Sequence, residues 1–281
     1  MQWDGKLKRP KIAVIGAGSA SFGLANLGGL MRTPVLKGCE LCLVDINAEG
    51  LKLTTALAER INREWCMDMT IKSSTDRLEL LEGADFIILS VAVDREKCWK
   101  LDFETAKKHG IMHYAENGGP GGLMHISRNI AIIMPILKDI ERLCPDALVL
   151  NFTNPVPRIC IAAARYTKVK MVGICHQIHF GYFIVAKVLA RELGIDIPEG
   201  YLFRWDDTLG IFSRVSAQAS EKLDILAAGI NHFTWMLSVR EKHTGRDLYP
   251  IFREKYLSAY EDFEPLTREV FKVLGLCPVA G

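Results

Sequence analysis

The chain has 281 residues, 49% of them hydrophobic and 24% charged, enough for one large domain or two ordinary ones. Its 35 Lys and Arg face 33 Asp and Glu scattered along the sequence, a net charge of +2, which argues against the basic patch of a nucleic-acid binder. No apolar run reaches the roughly 18 residues of a membrane span, so none is expected.

In chain order, KIAVIG (Lys11–Gly16) is a short apolar run ending in glycine and reads as a strand buried on both faces. A helix is predicted over about Phe22–Met31, a second strand over Glu40–Ile46 and a helix over Ala48–Trp65. Strands follow at Met69–Ser74 and Ala84–Val93, then helices at Arg95–Lys108 and from about His125 to Leu143. Ala147–Pro155 and Val169–Cys175 complete six strands. Repeated βαβ units predict an α/β, Rossmann-type doubly wound parallel sheet. After Ile178 the pattern changes. A helix (Phe180–Leu193) precedes three stretches with polar alternation, IFSRVSAQAS, KLDILAAGIN and FTWMLSVREK, read as strands. The expected domains are therefore 1–175, binding a dinucleotide, and 176–281, an α+β domain for substrate and metal. The closing FKVLGLCPVAG reads as a turn without a cap, so truncation at the C-terminus is expected.

The segment MQWDGKLKRPK is charged and leads into a strand, so no signal peptide is expected. Eight cysteines without regular spacing do not make a disulfide framework. Cys39, Cys42, Cys66, Cys98, Cys144 and Cys160 fall in apolar or helical surroundings and read as core thiols of a reduced, cytoplasmic protein.

VIGAGSASFG follows the first strand directly. Gly16 suits the tight turn, Gly18 the close approach of backbone to a pyrophosphate, and the next helix points its N–H groups at the phosphates. Ser21 stands where a third glycine is usual, and a small residue there still allows close packing. Asp45, ending the second strand, is placed to accept from an adenosine ribose, and favours NAD over NADP.

Ligands of an open parallel sheet bind beyond the carboxyl ends of its strands. NFTNPV puts Asn151 and Asn154 there, with Pro155 either ending the strand or carrying a cis bond; simple turn chemistry is the other reading. GICHQ and AGINHFTW supply Cys175, His176, Asn231 and His232. A thiolate and an imidazole make a soft-to-borderline divalent site. From periodicity alone, a core cysteine beside a satisfied histidine is as good a reading as a ligand pair. No helix N-terminus is expected around Cys175, so a protease-like nucleophile is not indicated. His179 reads as a structural helix residue. His109, His113 and His243 have no partner by spacing, and His125, near GGPGG, could line the cleft.

The ordered set resembles glycoside hydrolase family 4, NAD- and metal-dependent glycosidases related to lactate and malate dehydrogenases, over nearly the whole chain. GAGS (Gly16, Ser19) followed by Phe22, LVDIN, Asn154–Pro155, Cys175 and the Asn231–His232 pair are similar to that family's motifs. So are Arg95 with Lys108-His109-Gly110, and the Gly-Pro-Gly-Gly helix start followed by Arg128. The resemblance implies that Gly16, Gly18, Ser19, Phe22, Asp45 and Asn151 bind NAD. It also implies that Cys175 and His232 hold Mn²⁺ or another divalent metal, and that Arg95, Asn154, His176 and Asn231 meet the sugar, with Asn154 and His176 in catalysis. The implied route is oxidation at C3, loss of the C2 proton, elimination of the aglycone, addition of water and re-reduction, outside two-carboxylate hydrolysis.

Members acting on 6-phosphoglycosides have Asp after the metal cysteine. His176 here resembles the branch acting on non-phosphorylated sugars such as α-galactosides, α-glucosides or glucuronides. The family's base is commonly a tyrosine, and Tyr249, Tyr256 and Tyr260 are candidates that do not align with it. A homodimer or homotetramer is implied. The rivals are an NAD-dependent dehydrogenase with net redox turnover and a non-catalytic NAD-binding chain.

Overall fold

The computed structural model describes residues 9–19, 22–112, 118–201 and 210–279, the side chains of 22–25 excepted. The chain divides into two compact units, Met1–Ile174 and Cys175–Gly281.

The first unit runs β1 (Lys11–Ile15), α1 (Phe22–Met31), a 3-10 turn at Pro34–Leu36, β2 (Glu40–Val44), α2 (Ala48–Glu64), β3 (Thr70–Ser74), α3 (Leu78–Leu81), β4 (Phe86–Leu89), α4 (Arg95–Lys108), α5 (Gly119–Leu143), β5 (Leu148–Asn151), α6 (Val156–Tyr166) and β6 (Lys170–Gly173). The six strands are parallel and ordered β3-β2-β1-β4-β5-β6, the doubly wound order whose switch point lies between β1 and β4.

The sequence builds this sheet because its inner strands are apolar on both faces. Ala13 and Ile15 of β1 enter one core with Val44, Leu89, Ile133 and Leu137. Ile12 and Val14 enter the opposite core with Leu41, Leu43, Leu27 and Leu51. Each fully buried aliphatic side chain contributes about 1.5–3 kcal/mol. The edge strands β3 and β6 are largely exposed. Helix α6 was not anticipated by the sequence reading. Pro157 in its first turn needs no N–H partner there, and Val156, Ile159 and Ala163 form its buried stripe.

The second unit runs α7 (Gln177–Val188), α8 (Ala190–Leu193), α9 (Ile211–Lys222), β7 (Leu223–Ile230), β8 (Phe233–Glu241), α10 (Tyr249–Ala259), α11 (Pro265–Leu274) and β9 (Cys277–Val279). Its antiparallel sheet is ordered β7-β8-β9. The core joins Phe183, Ile184, Val215, Ala219, Met236, Phe252, Tyr256 and Phe271.

Two expectations are corrected here. IFSRVSAQAS is helical, because Val215, Ser216 and Ala219 fall on one buried face and the rest are ordinary helix formers. The end of the chain is not merely a turn: Cys277–Val279 pairs with Thr234–Met236 of β8. The cysteines also differ from expectation, since Cys66 is exposed and Cys98 and Cys160 are only partly buried. Among the described residues no helix is long and apolar enough to cross a membrane.

Candidate functional site

The glycine turn leaves β1 at its carboxyl end. Gly16 has φ +94°, and a β-carbon on it would lie 1.9 Å from the Ser90 carbonyl oxygen. No other residue fits there without moving the neighbouring strand. The Gly18 N–H donates to Asp45 Oδ2 at 2.8 Å, and the Asn47 N–H donates to Oδ1 at 2.8 Å. Asp45 therefore braces the turn. Each carboxylate oxygen keeps a second lone pair for a hydroxyl donor. The Ser19 N–H closes the turn onto the Gly16 carbonyl at 3.4 Å. Ser21, the Phe22 side chain and His113 lie outside the described residues. A tight turn after the central strand, a helix beginning at Phe22 and an acid on the next strand fit a dinucleotide.

Beyond β5, the Asn154–Pro155 bond is cis. Asn151 is fully buried, and its amide bonds the backbone of Thr153 in both directions at 3.1 Å, so it shapes this loop. The Asn154 carbonyl accepts from Asn129 Nδ2 at 2.5 Å. Asn129 also lies 3.3 and 3.4 Å from the two ring nitrogens of His125. Trp99 Nε1 donates to His125 Nδ1 at 3.4 Å, and the Arg95 guanidinium stacks 4.0 Å over the Trp99 ring. Arg95, His125 and Asn154 thus belong to one polar chain, linked through Trp99 and Asn129. Asn129 was passed over in the sequence. The available signal is that His125 and Asn129 sit on the buried stripe of α5 with Ile133, Ile136 and Ile140. Arg128 pairs with Asp102, whose hydrogen bonding raises the guanidinium pKa against the effect of burial.

The second unit holds the sulfur–imidazole pair. Cys175 Sγ and His232 Nε2 are 3.6 Å apart. Two ligands of one ion stand about this far apart when metal–sulfur is about 2.3 Å, metal–nitrogen about 2.0–2.1 Å and the angle near tetrahedral. The residues that flank the pair explain the approach. Asn231 and His232 are the two-residue loop of the β7–β8 hairpin, with His232 at φ +64°. Gly229 precedes the loop at φ +144°, where a β-carbon would meet the Phe233 carbonyl oxygen at 2.2 Å. Burial pushes the Cys175 thiol pKa up, but hydrogen bonds from His232, Asn231 and the Gln177 N–H outweigh it, and the net shift is downward. A helix N-terminus does lie beside Cys175, contrary to expectation: α7 starts at Gln177 with His176 as its N-cap. That placement also favours the thiolate. His176 is exposed, and His179 is an exposed residue of α7.

Among the described residues, no group of three His, Cys, Asp or Glu is placed to hold a metal. Cys175 and His232 fit a divalent ion as a two-donor set, the remaining positions falling to oxygens from water or a ligand.

The three tyrosines are occupied in packing. Tyr249 Oη donates to the Met236 carbonyl at 3.0 Å and accepts from the Cys277 N–H at 2.8 Å, and burial pushes its pKa up to about 12. Tyr256 is fully buried and its pKa is raised by burial. Tyr260 Oη donates to the Lys187 carbonyl at 3.2 Å.

Family models match both parts of the chain. The Family 4 glycosyl hydrolase model covers residues 11–194, and that of the Family 4 glycosyl hydrolase C-terminal domain covers residues 227–281. An alpha-glucosidase of Erwinia rhapontici is 34% identical over 94% of this chain and 54% of its own length. An alpha-galactosidase of Bacillus subtilis is 33% identical over 87% of this chain and 50% of its own length. The chain thus spans about half the length of these relatives. A solved 6-phospho-alpha-glucosidase from gut microorganisms, in complex with NAD and Mn²⁺, superposes with a TM-score of 0.75 at 19% identity, covering 96% of this chain and 59% of the other.

Proposed function

The chain belongs to the family 4 glycosyl hydrolases, and we propose that it serves an NAD- and divalent-metal-dependent glycosidase acting on non-phosphorylated sugars. The observation that carries this reading is the Cys175–His232 pair at 3.6 Å, present in a chain that also has the braced glycine turn. NAD and a divalent ion such as Mn²⁺, when bound, supply reversible hydride transfer at a sugar carbon and Lewis-acid polarisation of sugar oxygens. In this chain, Gly16, Gly18 and Ser19 present the turn to the pyrophosphate, Phe22 opens the helix beneath it, and Asp45 accepts from the ribose. Asn151 keeps the loop after β5 in shape. Cys175 and His232 hold the ion as thiolate and neutral imidazole. Asn154, Arg95 and Asn231 bind sugar hydroxyls.

His176 is the residue that assigns the sugar class. An imidazole at this position, where relatives that act on 6-phosphoglycosides have Asp, supports a sugar without a 6-phosphate. It can also protonate a leaving oxygen near neutral pH. The matched alpha-glucosidase and alpha-galactosidase support the same class. A homodimer or homotetramer in the cytoplasm, with no nucleic-acid or membrane partner, completes the proposal; eight cysteines outside disulfides support a reducing compartment.

The test is a panel of nitrophenyl glycosides, with and without a 6-phosphate, incubated with NAD and Mn²⁺. Nitrophenol release without net NADH, from the unphosphorylated members, is the expected result. Accumulating NADH would instead support a dehydrogenase, and NAD binding with neither product a non-catalytic chain.

A further inference from the structure

Gln177 occupies a position that the pair chemistry does not explain. It is two residues after Cys175 and opens α7, and only 6% of its surface is exposed. It lies on the apolar stripe of that helix with Phe180, Gly181 and Ile184, where a long polar side chain is out of place unless both ends of its amide are bonded. Both ends are. Oε1 accepts from the His232 N–H at 2.8 Å, with the Thr234 hydroxyl at 3.2 Å and Asn231 Nδ2 at 3.5 Å around the same oxygen. Nε2 donates to the Val279 carbonyl at 2.5 Å. This pattern fixes the orientation of the amide, because a flipped group would set N–H against N–H and oxygen against oxygen.

We infer that Gln177 is a positioning residue for the Cys175–His232 pair, tying the hairpin loop that carries His232 to the start of the helix that follows Cys175. The inference rests on the reading of that pair as a metal site. One residue sits beside both members: it opens α7 two positions after Cys175, and its side chain accepts from the backbone N–H of His232. His232 sits in the left-handed region, at φ +64°, a conformation uncommon for residues with a β-carbon, and the bond to Gln177 helps to hold it. The loop is two residues long, so its conformation sets the direction of the imidazole. Losing the acceptor at the His232 N–H frees the loop and leaves that N–H facing an apolar group. The Val279 bond anchors the far end of the amide to β9. Gly181, one turn further along α7, allows the close approach, since a β-carbon there would lie 3.3 Å from Val279 and 3.4 Å from Met236.

The experiment titrates the full chain with cobalt(II) chloride and follows the sulfur-to-cobalt charge-transfer band, a readout independent of turnover. Metal-free thermal melting is recorded beside it. Gln177→Met keeps the length and removes both amide bonds. It is expected to lower cobalt affinity by about 10–100-fold, the range for groups that orient metal ligands. Gln177→Glu keeps an acceptor for the His232 N–H but loses the donor to Val279. Its expected signature is a lower metal-free melting point together with tighter cobalt binding than Gln177→Met. A band of equal affinity in wild type and Gln177→Met overturns the inference and leaves the metal site standing. No band in wild type overturns both. If Gln177→Met does not fold, Gln177→Asn decides, because its shorter amide cannot reach both the His232 N–H and the Val279 carbonyl: a loss of about tenfold or more supports the inference, and affinity equal to wild type overturns it.

Discussion

The glycine turn and the sulfur–imidazole pair are built in opposite ways. The turn is local: Gly16, Gly18 and Asp45 lie within one βαβ unit, and backbone sterics hold it. Gly16 has no room for a β-carbon, and Asp45 bonds two backbone N–H groups. The pair is non-local. Cys175 and His232 are 57 positions apart, and a hairpin loop, a helix start and one buried amide bring them together. A site made by backbone sterics fails abruptly when a side chain is added. A site made by side-chain bonds fails by degrees as bonds are removed.

The largest expected effect breaks the local half. Gly16→Ala forces a β-carbon against the Ser90 carbonyl at a φ of +94°. It is expected to destabilise the first unit by about 3 kcal/mol or more and to abolish NAD binding. Urea denaturation and quenching of tryptophan fluorescence by NADH measure the two. A stable variant with normal NADH binding would show that the turn is not rigid. Next, Cys175→Ser is expected to lower cobalt or manganese affinity by more than the roughly 100-fold that orienting groups are worth, while NADH binding persists. Joint loss of both ligands would refute the separation drawn here.

Asp45→Ala sharpens the comparison further, because Asp45 belongs to the local half but acts through bonds. Two backbone N–H groups lose their acceptor, so a loss of about 1–3 kcal/mol in denaturation is expected. Discrimination against NADP should fall with it, and an unchanged NAD/NADP ratio in binding titrations would remove Asp45 from the ribose.

The same contrast explains what could be read from the sequence. The sheet was legible because β1, β2 and β4 are short apolar runs with a glycine turn and an acid in fixed order. The positions of Cys175 and His232 could be named, but not their distance, since no local pattern encodes a contact between a helix start and a hairpin loop. Gln177 and Asn129 stayed hidden because a polar residue in a mixed segment looks solvated until its helix is phased. IFSRVSAQAS was misread because its apolar residues fit a period of two as well as one helical face, and packing of Val215 and Ala219 against the second core settles the matter. α6 was missed because NFTNPV reads as a strand end facing a ligand, or else as a turn, and neither reading looks past Pro155 to Pro157, which sits in the first turn of a helix.

The smallest expected effect concerns Tyr249, which sequence position alone leaves open as a base. Its hydroxyl ties Met236 of β8 to Cys277 of β9. Tyr249→Phe removes these bonds and is expected to cost about 1 kcal/mol of stability. Any change in cobalt affinity should be slight, because the ring still packs against Phe252 and Phe271. The pH dependence gives the sharper check. Burial raises the folded pKa to about 12, above the value of about 10 for an exposed tyrosine. The protonated hydroxyl is thus favoured by folding. Its contribution is fully present below about pH 10 and is lost as pH rises from about 10 to 12, where the unfolded chain ionises first. Melting curves over that range should fall more steeply for wild type than for Tyr249→Phe. Identical slopes would mean that Tyr249 ionises as freely in the folded chain as in the unfolded one, and would reopen its candidacy as a base.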